Sequence, residues 1–205
     1  MSYMKTSDKF TLVRIIFAPV NLLIYFIPIW TKGFFASASI FVLIPLLILV
    51  EFTDYLDGHY ARKHNVVSDF GKVFDPFADV ILHMTTFCCL MFTSSAGGKS
   101  YMPPIIFVLL MYREMSMTFI RMVAAQKGTA IAAKKGGKLK TVVYILSGFY
   151  GLLLELIARN NFGISAGSFE IMRYVAVALF CLCLVLSYIS FFDYIVSFKS
   201  ILKSE

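Results

Sequence analysis

The chain has 205 residues, of which 59% are hydrophobic and only 15% charged, and its mean hydropathy is +0.79. Soluble domains carry about 25% charged residues, so the composition excludes an ordinary soluble domain and points to an all-α integral membrane protein. The net charge of +7 does not indicate a nucleic-acid partner, because the basic residues border apolar runs instead of forming one aromatic-interleaved patch.

Residues 1–10 are polar and are expected to lie along the membrane interface, leading into a first span that ends near Trp30. Its two prolines, Pro19 and Pro28, are tolerable in a membrane helix, where neighbouring groups re-satisfy the freed carbonyls. Residues 34–50 carry no charge. Continued to Asp57, this second helix has 24 residues, roughly 36 Å at about 1.5 Å per residue. A hydrocarbon core is about 30 Å thick, so its acidic end reaches the headgroup level.

A polar link over 62–70 then leads into a third span over 71–96, followed by a turn at 97–100. The fourth span, from about 101 to 126, contains Arg113, Glu114 and Arg121 in its later half. Residues 129–141 hold Lys134, Lys135, Lys138 and Lys140 and read as a basic loop. A fifth span covers 142–158, Arg159 to Gly163 reads as a loop, and a sixth span covers 171–196. There is no internal repeat, so residues 1–205 read as a single six-span domain. Fifteen of the nineteen lysines and arginines fall on one side of this arrangement, and the positive-inside rule puts that side, with both termini, in the cytoplasm. Cys88, Cys89, Cys181 and Cys183 all lie in apolar segments without metal-ligand spacing and read as small apolar fillers.

Chemistry concentrates between the second and third spans. Asp54, Asp57, Asp75 and Asp79 are a third of the chain's twelve acidic residues, gathered in 26 positions. On helices, Asp54 and Asp57 are i,i+3 neighbours and Asp75 and Asp79 are i,i+4 neighbours, so each pair shares a face. Four like charges at a membrane surface repel and resist desolvation unless cations offset them. An all-oxygen donor set, without paired histidines or cysteines, suits magnesium or manganese rather than zinc. Magnesium is usually shared between carboxylates and substrate phosphates. Gly58 and Gly71 then leave room for a nucleotide or pyrophosphate against the helix backbone, and Arg62 offers a charge-assisted donor to phosphate.

The pattern D-x-x-D-G-x-x-A-R-x8-G-x3-D-x3-D, running from Asp54 to Asp79, resembles the signature of the CDP-alcohol phosphatidyltransferase family at every fixed position. That family has six spans with the signature joining the second and third, so the resemblance covers nearly the whole chain. Within it, Thr11-Leu-Val-Arg14-Ile, Arg113-Glu114, Arg121 and the stretch from Ala132 to Thr141 are similar to the bacterial phosphatidylglycerophosphate synthases, although Asp8-Lys9 stands where that subgroup carries an asparagine-based lead-in.

The resemblance implies a CDP-diacylglycerol donor, a glycerol 3-phosphate acceptor, and phosphatidylglycerol phosphate and CMP as products. It also implies a homodimer in a bacterial inner membrane, with the active site facing the cytoplasm. Carried over by position, Asp54, Asp57, Asp75 and Asp79 would hold two magnesium or manganese ions, with Asp79 also the base for the acceptor hydroxyl. Asp57, Gly58, Ala61, Arg62 and Gly71 would bind the donor.

An acceptor carrying nearly two negative charges needs cations facing it from the side away from the metals. Arg113, Arg121, Lys138 and Lys140 are the candidates. The bland alternatives are a snorkelling Arg121, an Arg113 that neutralises a nearby acid, and lysines that only set topology. His59, His64, His83, Glu51 and Asp193 receive no role. A sister enzyme with inositol phosphate, serine or an amino alcohol as acceptor is the nearest alternative. From another class, a carboxylate-based ion transporter would place its acids near the bilayer midplane and leave Gly58, Gly71 and Arg62 without a task.

Overall fold

In the computed structural model, residues 6–63, 69–93, 98–126 and 135–202 are described, with the side chains of 6–10, 54–63, 69–70, 72, 135–136, 138 and 197–202 outside the description. Among the described residues the chain is entirely helical: α1 (Thr6–Trp30), α2 (Ala36–Lys63), α3 (Asp69–Cys89), α4 (Pro104–Gln126), α5 (Lys135–Asn160) and α6 (Ala166–Leu202). Among the described residues, four stretches are long and apolar enough to cross a membrane: Thr11–Trp30, Ala36–Thr53, Leu139–Asn160 and Ala166–Val196. The other two helices, α3 and α4, are the ones that carry Asp75, Asp79, Arg113, Glu114 and Arg121.

The helices form a closed ring. Going round it, α1 packs on α2, α2 on α5, α5 on α6, α6 on α4, α4 on α3, and α3 back on α1, while α3 also touches α5 across the middle. Large side chains such as Tyr25, Phe87, Leu110, Leu152 and Phe180 fill the interior, and many of the exposed large residues, such as Ile16, Phe41, Met115 and Val185, are apolar. An apolar exterior is unfavourable in water and costs nothing in lipid, which is why the pattern suits a bilayer.

Several boundaries differ from the sequence expectation. α1 begins at Thr6, inside the stretch expected to lie along the interface, and runs unbroken through Pro19 and Pro28. It ends where Lys32 takes a left-handed φ of 56° and the Gly33 amide donates to the Pro28 carbonyl at 2.8 Å. α2 does not stop near Asp57 but continues through Arg62 to Lys63, so the first half of the motif lies on one helix. α3 ends at Cys89, short of residue 96, because the Leu90 carbonyl is taken by the amides of Tyr101 and Met102, which draws the loop under the helix end.

The expected basic loop over 129–141 is helical from Lys135 onward, and Lys135, Lys138 and Lys140 belong to the first turns of α5; residues 127–134 lie outside the described residues. Arg159 is likewise not in a loop. It is on the last turn of α5, with Glu155 at 2.8 Å, and donates to the Ser39 hydroxyl at 2.7 Å and the Tyr25 carbonyl at 3.0 Å. Glu155 in turn accepts from Thr93 at 2.9 Å. This buried cluster ties α1, α2, α5 and the chain after α3 together at the end of the ring opposite the four-aspartate motif.

Candidate functional site

The C-terminal turns of α2 and the N-terminal turns of α3 carry the two halves of the motif. The apolar stretch of α2 ends at Thr53, so Asp54, Asp57, Gly58, Ala61 and Arg62 follow directly on the last turns of the helix; their side-chain placement lies outside the described residues. On α3, Gly71 is buried and Asp75 and Asp79 stand one turn apart with side chains 44% and 37% exposed.

The α3 carboxylates are held from α1. Arg14 is 4% exposed, and its guanidinium donates to Asp79 and reaches Asp75 Oδ1 at 3.5 Å. The Thr11 hydroxyl donates to the same Asp75 oxygen. One turn of α1 separates Thr11 from Arg14, and one turn of α3 separates Asp75 from Asp79, so the two helices meet along matching faces. Thr11 and Arg14 were quoted in the sequence resemblance but not placed in the site. Their signal was an arginine at the polar start of an apolar run, which sequence alone does not separate from an interface anchor.

The donor set passes the chemical test for a hard divalent cation. Two half-exposed carboxylates on successive turns of one helix already draw a buried cationic side chain, and the oxygens left on them have no sulfur or imidazole competitor among the described neighbours. No cluster of three or more acidic, histidine or cysteine ligands occurs among the described residues, and the side chains of Asp54 and Asp57 lie outside that set.

A second polar cluster lies between α4, α5 and α6, centred on Glu114. Its carboxylate accepts from Lys140 at 2.7 Å, from Arg113 at 2.8 Å and from the Tyr144 hydroxyl at 2.8 Å. Arg113 also donates to the Ser187 carbonyl at 2.9 Å, and the Lys140 ammonium lies 4.6 Å from the centre of the Tyr144 ring. Two cations against one carboxylate leave an excess positive charge in a buried place. Lys140 is within electrostatic reach of Asp79, which links this cluster to the aspartates.

Arg121 is held more loosely. Its Nη2 lies 3.4 Å from the Tyr194 hydroxyl, its guanidinium 5.5 Å from the Tyr194 ring, and its buried Nε has no hydrogen-bond partner among the described residues. Arg113 and Arg121 both turn toward α6, to Ser187 and Tyr194. The structure separates their circumstances: Arg113 is bound to a carboxylate and a carbonyl, whereas Arg121 rests on one phenol. Tyr144 and Ser187 carry no signal in the sequence, and Glu114 enters the resemblance beside Arg113 without a role.

Comparison with known proteins follows the same lines. A Treponema pallidum (strain Nichols) protein named CDP-diacylglycerol--glycerol-3-phosphate 3-phosphatidyltransferase is 35% identical over 205 residues, covering 98% of this chain and 92% of its own. A Bacillus subtilis (strain 168) protein of the same name is 34% identical over 145 residues, 68% of this chain and 72% of its own. The Arabidopsis thaliana protein named CDP-diacylglycerol--glycerol-3-phosphate 3-phosphatidyltransferase 2 is 29% identical over 159 residues, 74% of this chain and 64% of its own. The profile of the CDP-alcohol phosphatidyltransferase family matches residues 4–189, and the chain belongs to that family.

Proposed function

We propose that this protein transfers the phosphatidyl group of CDP-diacylglycerol to glycerol 3-phosphate, giving phosphatidylglycerol phosphate and CMP. The observation that carries the reading is the pair Asp75 and Asp79, set on the first turns of α3 and held by Arg14 at the same end of the ring as the last turns of α2. The names of the relatives in Treponema and Bacillus support the donor and the acceptor. The same reading takes all six helices as spans of one domain over residues 1–205, with both termini and the motif on the cytoplasmic face of a bacterial inner membrane. The distribution of lysine and arginine supports that orientation. A homodimer fits a small ring with an apolar exterior.

In this mechanism Asp54, Asp57, Asp75 and Asp79 would hold two magnesium or manganese ions, which would supply positive charge to the pyrophosphate and to the displaced oxygen. The acceptor hydroxyl oxygen forms a bond to the phosphatidyl phosphorus, and the pyrophosphate bond to that phosphorus breaks, releasing CMP. Asp79 takes the hydroxyl proton; a base in this role works by being within hydrogen-bond reach of it. Gly58, Ala61 and the buried Gly71 leave space for the nucleotide, and Arg62 donates to a phosphate. The diacylglycerol tails stay in lipid while the nucleotide stays in water, which places the reaction at the headgroup level.

Arg113, Arg121, Lys138 and Lys140 supply positive charge to the acceptor phosphate. Arg121, the least engaged of the three with described side chains, makes the most direct contact, while Arg113 and Lys140 are held by Glu114. Arg121→Ala is therefore expected to raise the KM for glycerol 3-phosphate about tenfold or more, the loss of a charge-assisted contact of about 1.5–3 kcal/mol. Arg113→Ala should instead lower the yield of folded protein, because it leaves Glu114 and the Ser187 carbonyl short of a donor in the core. An Arg121→Ala protein with unchanged acceptor KM and weakened donor binding would move that arginine to the donor pyrophosphate.

The activity is tested by CMP release from CDP-diacylglycerol with a panel of acceptors, with and without a chelator. Release is expected with glycerol 3-phosphate, to stop in excess chelator and to return with added magnesium or manganese. Full turnover in chelator would refute the metal assignment, and release with serine or inositol phosphate alone would favour a sister enzyme.

A further inference from the structure

Glu51 and His83 take no part in the mechanism above, yet they face each other inside the ring just below the motif. His83 is 8% exposed, and its Nδ1 lies 2.7 Å from the backbone carbonyl of Asp79. A carbonyl only accepts, so Nδ1 carries the proton of that contact. The opposite ring atom, Nε2, points across the interior to Glu51 Oε1 at 3.6 Å. The two polar side chains thus approach each other across the interior, one from each helix. The surroundings keep water scarce: Leu47, Leu82 and Phe87 line the same narrow cavity, together with Thr86 and Tyr144. The His83 ring also stands edge-on to Tyr144, with centroids 6.0 Å apart.

The place of this pair in the ring gives it consequence. Among the described residues, α2 packs on α1 and α5, and α3 packs on α1, α4 and α5, so α1 lies between α2 and α3 on one side and α5 on the other. Glu51 precedes Asp54 by one turn on α2, and His83 follows Asp79 by one turn on α3. The contact thus crosses the gap directly beneath the one that the four aspartates must span.

We propose that Glu51 and His83 are positioning residues: their contact sets the separation and register of α2 and α3, so that carboxylates from the two helices converge on the same divalent cations. The proposal rests on the reading of Asp54, Asp57, Asp75 and Asp79 as a cation site. A shift of about 1 Å between the helices is enough to spoil such a site, because coordination distances are narrow.

The test is Mn2+ binding to the full-length detergent-purified protein, followed by electron paramagnetic resonance, for wild type, Glu51→Gln, His83→Gln, the double variant, Glu51→Asp and Asp75→Asn. Each Gln variant is expected to weaken Mn2+ at least tenfold. The double variant should be weaker than either single one by less than the sum of their losses, because each single change already removes the contact between the two side chains. Glu51→Asp, which keeps the charge at shorter reach, should recover part of the loss. With glycerol 3-phosphate, kcat should fall while the acceptor KM changes less than twofold.

Wild-type affinity in both Gln variants, or losses that simply add, would overturn the proposal. If Asp75→Asn loses Mn2+ while the Gln variants keep it, only the positioning role fails. If Asp75→Asn binds Mn2+ like wild type, the cation-site reading fails and the proposal with it. Should Glu51→Gln not purify, His83→Gln carries the comparison, and loss of the folded protein in both would assign the pair to core stability instead.

Discussion

Asparagine at Asp75 or Asp79 is expected to lower phosphatidyl transfer by at least about 10³-fold, within the range by which removing a positioned proton acceptor and a charged ligand acts. The two variants should differ in kind. Asp75→Asn removes a charged oxygen from the cation site, so it should lose Mn2+ binding and turnover together. Asp79→Asn also removes the base, so turnover should fall further than donor binding does. Both are isosteric, and the side chains are partly exposed, so the fold should survive. CMP release and Mn2+ binding measured on the same preparations separate the effects. Near-normal turnover in Asp79→Asn would contradict its role as base.

The second large effect is expected at Arg14. This side chain is buried, and its charge offsets two carboxylates on a helix that reaches it from more than sixty residues away in sequence. Replacing it with methionine keeps much of the volume and removes the cation, which should cost about 1.5–3 kcal/mol in the metal-free protein, the worth of hydrogen bonds to charged groups, because the carboxylates left behind are partly open to solvent. Divalent ions supply the missing charge from the other side of the same carboxylates. The loss in thermal stability should therefore be large in chelator and much smaller in millimolar magnesium. Arg14→Lys should be intermediate, since it keeps the charge without the two-pronged geometry. An equal loss in both conditions would make the role of Arg14 one of packing alone.

How much of this was readable from the chain differs by element. The apolar stretches gave the number and order of helices, because a run such as 34–50 has no other stable place than a bilayer or a large core. The α3 half of the motif was legible as a pair, because helical spacing puts Asp75 and Asp79 one turn apart before any tertiary contact is known. Arg14 and Thr11 were not, since their partners Asp75 and Asp79 are brought to them only by the packing of α1 on α3.

The start of α5 was misread for a local reason. Lys134, Lys135 and two glycines suggest a loop, but Gly137 lies on the helix face toward α6, where an added Cβ would stand 3.9 Å from the Ser190 hydroxyl. Lys140 consequently enters the interior and meets Glu114 instead of facing solvent. Arg159 was misplaced in the same way. A terminal arginine after an apolar span looks like an interface anchor, and only the fold supplies the Glu155 carboxylate, the Ser39 hydroxyl and the Tyr25 carbonyl that hold it inside.

The proposed reaction is tested most directly by the mass of the lipid that the purified protein makes. Supplied with CDP-diacylglycerol, magnesium and an equimolar mixture of glycerol 3-phosphate, inositol phosphate and serine, it should form phosphatidylglycerol phosphate and CMP in equal amounts, with no other phosphatidyl product. A lipid built on inositol phosphate or serine, with no phosphatidylglycerol phosphate, would contradict the proposed acceptor, and no phosphatidyl product at all would contradict the proposed transfer itself.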